Sequence, residues 1–131
     1  RDGALSQDHW ALFDRATFDR ELANGRCVAV DFTADWCVNC KFLEKTILHT
    51  PEVEAIFDRK NILTLTADWT NQDAQTPDVL AINELLDQYG ARQVPTLMIF
   101  NPANPSAPII LKGLYSKGTL LEALQTIPDA E

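Results

Sequence analysis

Between Val30 and Glu44 a β-type run turns into a helical one through the short stretch Thr33-Ala34-Asp35-Trp36, and two cysteines, Cys37 and Cys40, stand at the join. No other segment restricts the possible folds as much. Val28, Val30 and Phe32 alternate with Ala29 and Asp31, so residues 27–33 are expected to form the first central strand. From about Cys37 to Leu48 the pattern becomes helical, with Phe42, Leu43 and Ile47 as its buried stripe. A helix fed directly by a strand presents unpaired N–H groups, and their partial positive charge, to the first cysteine. That setting favours the thiolate, which is the species that attacks a disulfide. Cys40 lies three positions later, about one turn on, so the two sulfurs share a face and can close into a disulfide and reopen. The segment reads as a redox site, with Cys37 as nucleophile and Cys40 as resolving thiol. A structural disulfide or half of a zinc site are the other uses of such a pair. Zinc normally takes four ligands, and the sequence has no second Cys or His pair.

The remaining chain supplies alternating strands and helices. Residues 1–8 are polar and expected to be loosely held. Residues 10–13 suit a short edge strand, and Thr17 suits the N-cap of a helix that carries Phe18, Leu22 and Ala23 and stops at Asn24-Gly25. Thr50-Pro51 restarts a helix through Arg59, with Val53, Ile56 and Phe57 inward. Residues 62–67 read as a second strand, parallel to the first because a helix intervenes. Its end, Thr66-Ala67-Asp68-Trp69, repeats the letters of residues 33–36. No second cysteine pair follows, so the repeat reads as similar caps on parallel strands and not as a duplication. Thr76-Pro77-Asp78 opens a helix to about Tyr89, closed by Gly90. Residues 96–100 and 108–112 suit a hairpin across a Pro-rich loop. Ser116 then caps a last helix with Leu120, Leu121 and Leu124 toward the sheet.

At 131 residues the chain is expected to form one domain, residues 1–131, without needing disulfide staples. Its formal net charge of −8 argues against nucleic acid or anionic lipid as a partner. The longest apolar runs, such as residues 96–100, are too short to cross a bilayer, and no charged-then-apolar signal opens the chain. Beginning at Arg1 without Met, it reads as a processed or excised piece. The third cysteine, Cys27, sits at the far end of the first strand, roughly 20 Å from Thr33, and is expected to be a buried, inert thiol. Lys41 is expected to be a solvated helix charge. His9 falls in the polar leader and His49 about 18 Å along the helix from Cys37, so neither is expected to be a catalytic base.

Trp36-Cys37-Val38-Asn39-Cys40-Lys41, Asp31 six positions before the first cysteine, and Val94-Pro95-Thr96 downstream resemble the thioredoxin superfamily. The longer string Ala34-Asp35-Trp36-Cys37-Val38-Asn39-Cys40-Lys41, followed by Glu44, is similar to the carboxy-terminal thioredoxin-like domain of the DsbD family and its ScsB-type relatives. The resemblance implies an α/β fold, a central mixed sheet flanked by helices, and reduction of protein disulfides by dithiol exchange with no metal or organic cofactor. It implies that Asp31 is a buried acid beneath the cysteine pair and that Asp31 and Glu44 tune the thiols. It implies a cis Val94-Pro95 bond against the cysteines, which frees the backbone of Val94 to pair with an extended peptide, with Trp36 as one wall of that groove. It further implies a monomeric periplasmic module of an inner-membrane protein, taking electrons from the transmembrane domain and giving them to the amino-terminal domain of the same polypeptide. The Val38-Asn39 pair between the cysteines departs from the family's usual pattern and leaves the redox poise open.

The electrostatics can be bounded. A single ionised carboxylate about 6 Å from a thiolate opposes it by roughly 2–3 kcal/mol at an effective dielectric near 20. The helix terminus returns about 0.3–2 kcal/mol. An ionised acid therefore raises the Cys37 pKa, and two neutral acids let the helix lower it. A free-standing reductase or isomerase, a Cu(I)-handling module using Cys37 and Cys40, and an inactive binding domain are the other functions compatible with these residues.

Overall fold

The computed structural model describes residues 9–130, and the expectation for residues 1–8 lies outside them. Five strands form one sheet: β1 (Trp10–Leu12), β2 (Val28–Thr33), β3 (Leu63–Asp68), β4 (Thr96–Phe100) and β5 (Ile109–Lys112). Their order is β1-β3-β2-β4-β5. Strands β1, β3 and β2 run parallel, while β4 is antiparallel to β2 and β5 to β4. The helices are α1 (Arg15–Ala23), α2 (Val38–Leu43), α3 (Pro51–Arg59), α4 (Pro77–Gln88) and α5 (Lys117–Gln125). This is the expected mixed sheet flanked by helices. No helix among the described residues is long and apolar enough to cross a membrane.

Every residue of β2 is buried, because it lies between β3 and β4 and is covered on both faces. Strand alternation divides its side chains. Val28, Val30 and Phe32 join Phe18 of α1 and Ile82, Leu85 and Leu86 of α4 in one apolar cluster. Ala29 joins Leu43, Ile47 and Leu48, Val53 and Phe57 of α3, and Leu120 and Leu124 of α5 in the other. Asp31 therefore faces the side on which α2, α3 and α5 pack.

Local chemistry sets the helix ends, with several departures from the sequence reading. The cap of α1 is Asp14, not Thr17: Asp14 Oδ2 accepts the Thr17 N–H at 3.1 Å and the Thr17 hydroxyl at 2.6 Å. Both are capping residue types, and the acid one turn earlier takes the orphan donors. The α-helical part of α2 ends at Leu43, and Glu44–Leu48 continues as a π-helical turn in which His49 N–H reaches Glu44 O at 2.8 Å. Phe42, expected inside, is 56% exposed. The inward face is set by Cys40, Leu43 and Ile47, and Phe42 lies about 200° around the helix from Cys40. Cys27 is half-buried and not enclosed, and Leu121 is half-buried too. His9 packs between Glu54 and Asp58, at 3.5 and 3.3 Å, instead of lying in a free leader.

The last helix depends on Ser116, whose Oγ accepts the Thr119 N–H at 3.0 Å while Leu120 and Leu124 fill the core below. Ser116→Ala should destabilise the protein by about 1 kcal/mol, read as a lower urea midpoint with an unchanged m-value.

Candidate active site

Strands β2 and β3 stop side by side, Thr33 opposite Asp68, and the turn after β2 delivers Cys37 as the N-cap of α2. Cys37 N–H donates to Ala34 O at 3.1 Å, which tightens the turn. Cys37 and Cys40 are joined in a disulfide with their Cα atoms 5.2 Å apart. The Cys40 N–H donates to Cys37 Sγ at 3.1 Å, so one orphan donor of the helix start is directed at that sulfur. Cys37 is 7% exposed and Cys40 1%, which makes Cys37 the reachable member of the pair. When the bond is open, the same N–H and the helix dipole stabilise negative charge on Cys37 Sγ. A bond placed this way can be exchanged with an outside thiol.

Ala34, Cys37 and Cys40 form a small buried cluster, and Val94 packs against it. The Val94-Pro95 peptide bond is cis, and Pro95 is buried with its carbonyl accepting Gly113 N–H at 2.8 Å. Among the described residues the N–H and C=O of Val94 have no hydrogen-bond partner. Exposed apolar side chains lie close in sequence to the cysteines: Trp36, Val38 and Phe42.

Asp31 and Glu44, predicted from separate elements, meet under the helix. Both are buried. Burial pushes the Asp31 carboxyl well above the ordinary carboxylate range, and the charge of Glu44 and a hydrogen bond with it push the same way, against Lys41. Asp31 Oδ2 and Glu44 Oε2 are enclosed with no N–H or hydroxyl donor. A proton held on Asp31 can bridge the two acids. Lys41 is exposed, as expected of a solvated helix charge, and its Nζ reaches Glu44 Oε1 at 3.3 Å. His49 is half-buried with its ring tilted against that of Trp10, centroids 5.6 Å apart, and burial lowers its pKa. Cys27 stands at the opposite end of β2, its thiol pKa raised by burial.

Two features escaped the sequence reading. Tyr115, between β5 and α5, has a buried hydroxyl without a partner, and burial together with the nearby Asp31 and Glu44 keeps that hydroxyl protonated. Thr70, just after the second Thr-Ala-Asp-Trp string, hydrogen-bonds the turn in front of Cys37. The repeated string was the available signal, since two parallel strands ending at one edge bring their following residues together. Among the described residues no group of three or more His, Cys, Asp or Glu side chains is placed to hold a metal ion.

The sequence model of a family described as thioredoxin-like matches residues 12–102. The thiol:disulfide interchange protein DsbD of Vibrio vulnificus is 35% identical over 101 residues, which is 76% of this chain and 16% of that protein. DsbD of Cronobacter sakazakii is 36% identical over 110 residues, 80% of this chain and 18% of the relative. The chain thus spans less than a fifth of the length of these relatives. Among solved structures, the carboxy-terminal domain of Neisseria meningitidis DsbD in its oxidised form superposes with a TM-score of 0.64 at 24% identity, covering 90% of this chain and 99% of that one. A thioredoxin from Thermus thermophilus gives 0.68 at 20% identity, covering 91% and 85%. Its sheet order, its disulfide at the start of α2 and the matched residues together place this chain in the thioredoxin-like family.

Proposed function

We propose that this chain is a one-domain thiol–disulfide oxidoreductase that works as a protein-disulfide reductase. The observation that carries this reading is the Cys37–Cys40 disulfide whose first sulfur accepts a helix-start N–H. In the reduced form the Cys37 thiolate attacks one sulfur of a substrate disulfide, forming a mixed disulfide and releasing one substrate thiolate. Cys40 then loses its proton and attacks Cys37 Sγ. The Cys37–Cys40 bond re-forms and the second substrate thiol leaves. Two electrons and two protons have passed to the substrate. Asp31 and Glu44 tune this exchange: the Asp31–Glu44 pair accepts or returns the Cys40 proton, and any negative charge on it opposes premature thiolate formation at Cys37. The unpaired backbone of Val94 and the face of Trp36 seat an extended segment of the partner, with cis Pro95 setting the loop.

The DsbD relatives support a finer reading. They are much longer than this chain, and the carboxy-terminal domain of one DsbD shares its fold, which supports this chain as the periplasmic carboxy-terminal module of an inner-membrane protein. It takes electrons from the cysteines of the transmembrane domain and passes them to the amino-terminal periplasmic domain of the same polypeptide. Such a relay must donate, which its reduction potential reports. Equilibration with a dithiol buffer should give a value near that of thioredoxin, about −270 mV. A value near about −120 mV would make the protein an oxidant and overturn the reading.

A further inference from the structure

A hydrogen-bonded bracket from the β3–α4 turn grips the two residues in front of Cys37. Thr70 Oγ1 accepts the Asp35 N–H at 2.8 Å, and Thr70 O accepts the indole N–H of Trp36 at 2.9 Å. Thr70 is in turn fixed by Asp68, whose Oδ1 accepts the Thr70 N–H at 3.0 Å and its hydroxyl at 2.5 Å. The hydroxyl donates to one neighbour and accepts from the other, which valine cannot do. Beside this bracket, Trp69 N–H reaches Thr33 O at 2.7 Å and its indole donates to Asn83 Oδ1 at 2.7 Å, giving the turn a buried base. Trp36 differs from Trp69 in being 53% exposed, so packing alone does not hold its ring.

We propose that Asp68 and Thr70 are positioning residues that lock Trp36 beside Cys37, so that its open face is a fixed docking wall for the polypeptide flanking an incoming disulfide. This deepens the reductase reading and rests on it. A rigid aromatic face with few torsions to freeze is an efficient anchor for a peptide. A small aromatic disulfide such as 5,5′-dithiobis(2-nitrobenzoate) has no flanking chain to use it.

The test compares Thr70→Val, Thr70→Ser and Asp68→Ala with the native chain, using oxidised insulin and the small disulfide as substrates and amide exchange at Asp35 as an independent readout. Thr70→Val should raise KM for insulin about fivefold and lower the insulin-to-small-disulfide rate ratio to match. Thr70→Ser, which keeps the hydroxyl, should restore the native ratio. Asp68→Ala should follow Thr70→Val and serves if the latter folds poorly. The Asp35 amide should exchange about tenfold faster in Thr70→Val. The proposal fails if KM for insulin is native in Thr70→Val, if both substrates slow in parallel, or if Thr70→Ser is as impaired as Thr70→Val. Unaltered Asp35 exchange removes the bracket itself. A native chain that reduces neither substrate would overturn the reductase reading and the docking role together, and the exchange data would still decide whether Thr70 holds the turn.

Discussion

Cys37→Ser should abolish disulfide exchange, lowering insulin reduction by at least about a thousandfold, whereas Cys40→Ser should halt the cycle midway and accumulate a mixed disulfide. The asymmetry follows from geometry. Cys37 is the more accessible sulfur and receives the Cys40 N–H, so negative charge is stabilised there. A serine hydroxyl at position 37 does not ionise near neutral pH and cannot replace the thiolate. With Cys40 replaced, Cys37 still attacks, but nothing inside the protein can resolve the product. A partner with one disulfide should then run as a covalent adduct on a non-reducing gel and dissociate on adding dithiothreitol. Cys27 lies at the other end of β2, so Cys27→Ser should keep the native rate. An adduct that forms on Cys40 in Cys37→Ser as fast as on Cys37 in Cys40→Ser would assign the nucleophile to the wrong sulfur.

What could be read from the sequence is what local rules decide. The alternation of residues 28–32 placed Asp31 on the face opposite Val30 and Phe32, and the structure has those two in the other cluster. Thr76-Pro77 marked the start of α4 and Thr50-Pro51 that of α3, since a capping hydroxyl followed by a proline at the first helical position is a self-contained signal. The reading failed where one local signal was taken and its neighbour passed over. Thr17 was read as the N-cap, but Asp14 is also a capping residue type, and the structure shows the threonine hydroxyl donating to the aspartate. Phe42 was assigned inward on its apolarity, although the buried Cys40 had already fixed the helix face that excludes it. The π-helical turn at Glu44–Leu48 left no periodic trace over so few residues. Thr70 and Tyr115 were out of reach for another reason. Thr70 meets Asp35 and Trp36 across 34 or 35 positions, and Tyr115 approaches the Asp31–Glu44 pair from beyond β5. Contacts of that range are written in the topology and not in a window of residues.

Asp31→Asn should make the protein more stable at neutral pH and slower in exchange. Asp31 is 3% exposed, and its Oδ2 has no donor. Burial, reinforced by Glu44, raises its folded-state pKa well above the ordinary value of 3.8. In the unfolded chain the same carboxyl ionises near its ordinary value. Between those two points the folded state binds a proton that the unfolded state has released, so stability falls as pH rises, by about 1.4 kcal/mol per pH unit. The contribution is complete below about pH 4 and lost progressively up to the folded-state pKa. Asparagine keeps the shape and removes the titration. The variant should therefore match the native chain near pH 4 in urea and exceed it by more than about 1 kcal/mol at pH 7. Parallel stability profiles would mean that Asp31 does not retain its proton on folding. The kinetic half of the argument is separate. Breaking the Asp31–Glu44 pair, whose one shared proton leaves room for the proton of Cys40, should slow release of the mixed disulfide, and ultraviolet thiolate absorbance should show a shifted Cys37 titration; an unshifted one rules out the tuning role. A residue whose loss stabilises the fold while slowing the reaction is retained for chemistry. A variant that is less stable and equally fast would instead assign Asp31 to the core.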